Sequence, residues 1–153
     1  MAEILIRPTV FDDGALLAEH MRESDRAELH AVGHEDLGLV VERSIANSVM
    51  CWSAFADGKL GCIIGVSPLS MVSGIGAPWM LGTPVLDAHS RILVRKTPEY
   101  IARMLNAFPH LMNFVHAKNI TSVRWLRRVG FTLRDAVPYG PLGEPFHLFE
   151  MRA

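Results

Sequence analysis

The segment HLMNFVHAKNITSVRWLRRVGF, residues 110–131, constrains the fold of this chain more than any other stretch. It begins with an apolar run typical of a buried strand and continues after Asn119 with helical periodicity. Asn119 can accept a hydrogen bond from a free amide of the first helical turn, and the spacing of Val123 and Leu126 gives the helix an apolar face. Gly130 can adopt the left-handed conformation that ends a helix. The segment therefore predicts a strand followed directly by a capped helix.

The rest of the chain also divides into strand-like and helix-like segments. Strands are predicted at 4–6, 51–56, 60–66, 78–81, 110–117, 131–134 and 146–151, and helices at 13–22, 24–32, 37–47, 90–108 and 120–129. Asp12 or Asp13 is the predicted N-cap of the first helix, Pro98 is predicted to break the helix over 90–108, and Asp57-Gly58 predicts a tight hairpin. Helices that connect strands imply parallel pairing, whereas the start and end of the chain favour antiparallel pairing. The prediction is a single α/β domain over 1–153, with a mixed central β-sheet flanked by helices on both faces.

Composition excludes several classes of protein. The formal net charge is −1, which gives no broad attraction for nucleic acid or an anionic membrane. Cys51 and Cys62 lie in apolar runs without the spacing of a metal site, so we expect buried thiols rather than a disulfide framework. No apolar run approaches the roughly 18 residues of a membrane span, and MAEILIRPTV is not typical of a secretory signal. We therefore expect a cytoplasmic protein that binds neither membrane nor nucleic acid.

Within the 110–131 segment, Asn119, Ser122, Gly130 and Phe131 match a family pattern in order and spacing. Together with the order of the predicted elements, they resemble the fifth strand and the following helix of the Gcn5-related N-acetyltransferases, the GNAT superfamily. The resemblance covers most of the chain. It implies a GNAT-like domain that transfers an acetyl group from acetyl-CoA to a primary amine.

Three stretches also resemble a narrower group, the acetyltransferase-like phage internal core protein family. They are PWMLGT at 78–83, PHLMNFV at 109–115 and the Asn-to-Gly-Phe stretch at 119–131. This resemblance implies a phage-encoded protein in the host cytoplasm or the virion, with other virion or phage proteins as partners.

The GNAT resemblance implies that acetyl-CoA binds where the predicted fourth strand ends and the next helix begins. The implied cofactor-binding residues are Leu81, Gly82, Thr83, Ser90, Arg91 and Asn119. GNAT enzymes bind the pyrophosphate with a turn of the form R/Q-x-x-G-x-G/A, because glycine lets backbone amides approach phosphate. Residues 83–96 contain no glycine, although Arg91, Arg95 and Lys96 could supply positive charge. Leu126 stands where many GNAT enzymes have a tyrosine that protonates the leaving thiolate.

Asp25 and Glu28 are the expected catalytic residues. They lie three residues apart in the predicted second helix, so they share one helix face. There they could bind or deprotonate a cationic amine. The alternative is a solvated helix face with Arg22 and Arg26 nearby.

Two further clusters have the spacing of binding sites. His30 and His34 are four residues apart, but the glycine between them should end the helix, so no metal site is predicted. Arg124, Arg127 and Arg128 either complement a helix C-terminus or bind phosphate or an acidic partner.

Two functions follow as hypotheses. The first is an acetyl-CoA-dependent N-acetyltransferase acting on a small-molecule or protein amine. The second is a GNAT-like phage virion or assembly protein without catalytic activity, acting as an interaction module. The departures in the phosphate turn and at Leu126 favour the second, and homo-oligomer formation is left open by the sequence.

Overall fold

A computed structural model describes residues 2–153, in which eight strands form one sheet and six helices pack against it. The strands are β1 (Ile4–Pro8), β2 (Met50–Ala56), β3 (Lys59–Ser70), β4 (Ile75–Gly82), β5 (His110–His116), β6 (Thr132–Leu133), β7 (Val137–Tyr139) and β8 (Glu144–Arg152). The helices are α1 (Phe11–His20), α2 (Glu23–Ala31), α3 (Leu37–Asn47), α4 (Pro84–Ala88), α5 (Ser90–Ala107) and α6 (Ile120–Val129). Within this part of the chain, no helix has both the length and the apolar character that crossing a membrane requires.

The strand order is β1-β2-β3-β4-β5-β8-β6, and β7 pairs with β8. Neighbouring strands are antiparallel except for β4 and β5, which are parallel and are connected through α4 and α5. The mixed sheet predicted from the sequence is therefore confirmed.

Each face of the sheet is covered by its own helices. Successive side chains of a strand point to opposite faces, so Ile63 and Ile64 of β3 belong to different cores. Ile63 packs in one cluster with Leu17 of α1 and Val41 of α3, whereas Ile64 packs with Met104 of α5. Complete burial of an aliphatic side chain of this size contributes about 1.5–3 kcal/mol. Helices on both faces, as predicted, thus bury the central strands completely.

Several local predictions are confirmed. Helices α3 and α6 have the predicted bounds, and Asn119 caps α6 by accepting a hydrogen bond from the amide of Ser122 at 3.4 Å. Gly130 ends α6 with φ of 108°. Asp57 and Gly58 both have positive φ, 50° and 79°, as a two-residue hairpin between β2 and β3 requires.

The predicted start of the first helix is wrong. Helix α1 begins at Phe11 with Val10 as its N-cap, so neither Asp12 nor Asp13 caps it. Instead Asp13 lies in the first turn, where its carboxylate accepts from the amide of Val10 at 3.0 Å and forms an ion pair with Arg7 at 2.7 Å. The acidic side chain still satisfies a free amide at the helix start, but from inside the helix.

The predicted break at Pro98 is also wrong, because α5 runs without interruption from Ser90 to Ala107. The buried side chains Leu93, Thr97, Ile101 and Met104 form one apolar stripe on both sides of the proline. Packing of this stripe against the sheet offsets the hydrogen bond that proline cannot donate.

Strand β7 lies in a stretch that its prolines and glycines identified only as a turn. Val137 to Tyr139 pair with Glu144 to Phe146 of β8. Proline is tolerated at the edge of a sheet, where its missing amide hydrogen has no ladder partner to satisfy. Tyr139 is thereby held at a defined position beside β8.

Gly65 of β3 gives space to the ring of Trp79 on β4. A Cβ at position 65 would lie 2.8 Å from the indole, and Trp79 is fixed because its Nε1 donates to Ser48 Oγ at 2.8 Å. Gly65→Ala is therefore expected to lower the free energy of unfolding by about 1–3 kcal/mol through overpacking. Gly38→Ala in α3 is the matched control, because its Cβ would meet no atom closer than 3.5 Å. Chemical denaturation should show a destabilised first variant and an unchanged or slightly stabilised second, and equal effects would contradict this packing.

Candidate functional site

Strands β4 and β5 separate soon after they begin. They pair only at Ile75 with His110 and at Gly76 with Leu111. Further along, the side chain of Asn113 crosses the gap, and its Nδ2 donates to the carbonyl of Pro78 at 2.9 Å. The gap between the two strands opens into a cavity of about 600 Å³.

The large cavity has aromatic walls and one carboxylate. Its aromatic side chains are Trp79, Phe114, Trp125, Tyr139, Phe146 and Phe149. Within residues 2–153, Glu28 is the acidic side chain that lines it, and no lysine or arginine does so. The cavity therefore favours a ligand that is apolar over most of its surface and carries a positive charge.

Glu28 reaches this cavity from α2. Its Oε1 accepts a hydrogen bond from the backbone amide of His116 at 2.6 Å. Desolvation raises the pKa of Glu28 to about 7, and the negative charge of Asp25 acts in the same direction. The His116 amide, Arg22 and Asn119 oppose that rise by stabilising the carboxylate. A carboxyl group with this pKa exchanges a proton near neutral pH, as a general base must.

Asp25 has a different environment although it lies only one helical turn away. Its side chain is 1 % exposed and forms an ion pair with Arg22 at 2.7 Å. It also accepts from the amide of Gly82 at 2.8 Å and lies 3.5 Å from Nδ2 of Asn119. These contacts join α2 to the end of β4 and the start of α6. Asp25 does not line the large cavity.

Arg22 extends the same buried network. Its guanidinium also donates to Asp87 Oδ1 at 2.9 Å and to Ser122 Oγ at 3.0 Å. Both carboxylates raise the pKa of Arg22, although its burial acts in the opposite direction. Arg22 is therefore a fixed positive charge that connects four elements: α2, α4, α6 and, through Asp25, β4.

A second, basic pocket of about 210 Å³ lies between the start of α5 and α6. Arg91, Arg124 and Arg128 line it, and none of them forms an ion pair with a carboxylate in residues 2–153. Ser90 lies in the first turn of α5, whose N-cap His89 provides no side-chain cap. Uncapped amides and unpaired guanidinium groups are together suited to an anion such as a phosphate.

The two pockets are neighbours. Met80, Ser122 and Trp125 line both of them. A long ligand could therefore place an anionic end between α5 and α6 and its other end between β4 and β5.

The segment that follows β4 differs from a glycine-rich phosphate turn. Thr83 caps the short helix α4 by accepting from the amide of Val85 at 3.2 Å, and its hydroxyl donates to the carbonyl of Leu60 at 2.7 Å. The amide of Gly82 is already bonded to Asp25. An anion at this end of the sheet must therefore use the start of α5.

The residues expected to bind the cofactor fall into two groups. Leu81 lines the large cavity, whereas Ser90 and Arg91 line the basic pocket. The other three are buried and bonded within the protein; they are Gly82, Thr83 and Asn119. The structure adds Tyr139 and Phe146, which sequence reasoning missed because β7 was read as a turn. Leu126, at the position of the usual tyrosine, lines the large cavity with a side chain that cannot donate a proton.

His30 and His34 form a local hydrogen bond rather than a ligand pair. The Nδ1 of His30 lies 2.8 Å from the backbone carbonyl of His34. Within residues 2–153, no group of histidine, cysteine and acidic side chains is arranged to hold a metal ion.

No protein-family model and no curated protein sequence matches this chain. Solved structures do match it over nearly its whole length. A PaiA N-acetyltransferase from Thermoplasma acidophilum in complex with coenzyme A has 18 % identity and a TM-score of 0.69, covering 99 % of both chains. The ribosomal-protein-S5-alanine acetyltransferase from Vibrio fischeri has 14 % identity and a TM-score of 0.69, covering 99 % of this chain and 96 % of its own.

An aminoglycoside N(6')-acetyltransferase from Legionella pneumophila has 10 % identity and a TM-score of 0.70, covering 97 % of this chain and 91 % of its own. Identities this low establish the architecture and not the chemistry. The chain has the GNAT acetyltransferase fold: an α/β domain with a mixed sheet and six helices.

Proposed function

We propose that this protein is a GNAT-type N-acetyltransferase that uses acetyl-CoA and acetylates a primary amine. The observation that supports this most is the cleft between β4 and β5. It connects an anion-binding pocket at the start of α5 with a cavity that holds one carboxylate, Glu28, with a pKa of about 7. A cofactor with a phosphorylated end and an acylated end requires these two environments side by side.

The basic pocket fits the pyrophosphate of coenzyme A. Arg91, Arg124 and Arg128 would supply charge-assisted hydrogen bonds, and the uncapped amides of α5 would supply the rest. In this proposal Leu81 borders the pantetheine arm, while Gly82, Thr83 and Asn119 shape the cleft through their internal contacts. Bound acetyl-CoA supplies the activated acetyl group.

Glu28 would act as the general base. Its carboxylate lies in the cavity between α2 and the end of β5, where it takes the proton that the amine must lose. Asp25 would act as a positioning residue, because it fixes α2 against β4 and does not line the cavity. Leu126 cannot protonate a leaving group, so catalysis would rest on the base and on alignment of the reactants.

The cofactor site predicts a loss of affinity on charge reversal. The Arg124→Glu, Arg128→Glu double variant should bind acetyl-CoA at least about 100-fold more weakly, because two charge-assisted contacts are replaced by repulsion. The Arg95→Glu, Arg127→Glu double variant is the matched control: it changes the net charge equally, on the same two helices, at residues that do not line the pocket.

Calorimetric titration and thermal melting would measure these affinities. At 100 times its dissociation constant, acetyl-CoA should stabilise the wild-type protein by about 2.7 kcal/mol. Equal losses in both double variants would contradict a specific pocket. Absence of any heat or melting shift for the wild-type protein at millimolar acetyl-CoA would contradict the cofactor itself.

A second candidate is a GNAT-like protein without catalytic activity, such as the phage virion or assembly module that the narrower resemblance implies. Three observations favour it: the absence of glycine from 83–96, the Gly82 amide bonded to Asp25, and Leu126 in place of a proton donor. A stoichiometric place in purified particles without affinity for coenzyme A would support this function. Acetyl transfer by the isolated protein would contradict it.

A further inference from the structure

Three aromatic rings meet on one side of the large cavity. Phe114 of β5 stacks on Tyr139 of β7, with ring centroids 4.0 Å apart and planes at 17°. Tyr139 in turn meets Phe146 of β8 at 5.3 Å. All three line the cavity, and Tyr139 is 39 % exposed, so the ring cluster reaches the solvent.

The carboxylate of Glu28 lies at the end of the same wall. Its Oε1 bonds the backbone amide of His116, which is two residues beyond Phe114 on β5 and pairs with Phe146 of β8. The ring of His116 stacks on Phe146 at 4.9 Å, and its burial lowers the pKa of that imidazole, which favours the neutral form. Aromatic faces attract cations, and an adjacent carboxylate adds a direct charge partner.

The charges around the cavity limit how many positive charges a ligand can carry. Glu28 is the carboxylate of the lining, and the other titratable side chain there is His34, which is neutral above pH 7. The nearest other charges, Asp25 and Arg22, are bonded to each other behind the wall. A ligand with several ammonium groups would leave all but one of them desolvated against apolar rings.

We propose that the acceptor is a primary amine with a single positive charge and an apolar body, and that Glu28 and the rings of Phe114, Tyr139 and Phe146 hold its ammonium group. This assignment rests on the proposed function for the word acceptor, but the binding site itself does not. The rings recognise the cation and the aliphatic or aromatic body, and Glu28 distinguishes an amine from an uncharged analogue.

The test compares three probes by calorimetry at pH 8, with and without coenzyme A. The probes are 2-phenylethylamine, its neutral analogue 2-phenylethanol, and the polycation spermidine. 2-Phenylethylamine should bind at least about 10-fold more tightly than either of the others. Glu28→Gln should remove its advantage over the alcohol, and Tyr139→Ala should weaken its binding by roughly 3- to 30-fold. Tyr139→Phe should restore it, because the ring face is kept.

Glu19→Gln and Phe11→Ala are the matched controls, since both residues are exposed on α1 and neither lines the cavity. Tighter binding of spermidine, equal binding of the alcohol, an unaffected Tyr139→Ala variant, or no binding of the amine in either condition would overturn the assignment. Acetylation of spermidine in preference to 2-phenylethylamine would overturn this subsite and leave the proposed function standing. Selective amine binding without acetyl transfer would do the opposite.

Discussion

Glu28→Gln is expected to lower kcat/KM for acetyl transfer by about 100- to 10,000-fold at pH 8, because the variant cannot accept the proton of the amine. The amide occupies nearly the same volume and its oxygen can keep the hydrogen bond from the His116 amide, so the fold should be retained. Glu19→Gln on the neighbouring helix should retain full activity. A Glu28→Gln variant with wild-type kcat/KM would remove Glu28 from the mechanism.

The pH dependence provides an independent test of the same residue. A base works when it is deprotonated, so kcat/KM of the wild-type protein should rise with pH through about 7. Glu28→Gln should lose this limb. Stability should change in the opposite sense: a raised pKa means that the folded state holds the proton more tightly, so stability is greatest below the unfolded pKa and falls as pH rises through about 7. The stability of Glu28→Gln relative to wild type should therefore increase over that interval.

Arg22→Met is expected to destabilise the protein by about 3–5 kcal/mol, because it leaves Asp25 buried without its ion-pair partner. For a domain of this size the melting temperature should fall by roughly 6–20 °C. Arg103→Met is the control: Arg103 pairs with Glu99 at 2.8 Å on the exposed surface of α5, where such a pair contributes less than about 1 kcal/mol.

Replacing both members of the buried pair gives a sharper measurement. The Arg22→Met, Asp25→Leu double variant should be more stable than Arg22→Met alone, since no buried charge is left unpaired. If Arg22→Met melted like the wild-type protein, the network would not hold α2 against β4 as described. Both outcomes bear on Asp25, which would then be either a structural residue or a free carboxylate.

Local signals predicted the fold where neighbouring residues decide the structure. The cap at Asn119, the left-handed Gly130 and the Asp57-Gly58 turn depend on contacts within a few residues, and all three are found. Pro98 shows the limit of this reasoning, because packing of the stripe on α5 outweighs the local preference of proline.

The candidate site was harder to predict because it depends on contacts between distant segments. Asp25 and Glu28 look equivalent in the sequence, three residues apart on one helix. Burial against Gly82 and Arg22 makes the first a structural ion, while the second lines the cavity. Tyr139 lies in a stretch rich in proline and glycine, and only its pairing with β8 brings the ring to the cavity.

The central claim is that the cleft between β4 and β5 transfers acetyl groups. The most direct measurement incubates the protein with acetyl-CoA and a panel of amines: 2-phenylethylamine, spermidine and a short peptide with a free N-terminus. Mass spectrometry then follows the N-acetylated amine, and a thiol reagent follows free coenzyme A. We predict amide product and coenzyme A in equal amounts, at a rate that depends on protein concentration and is lost in Glu28→Gln. Product formation no faster than without protein, for every amine from pH 6 to pH 9, would contradict the claim.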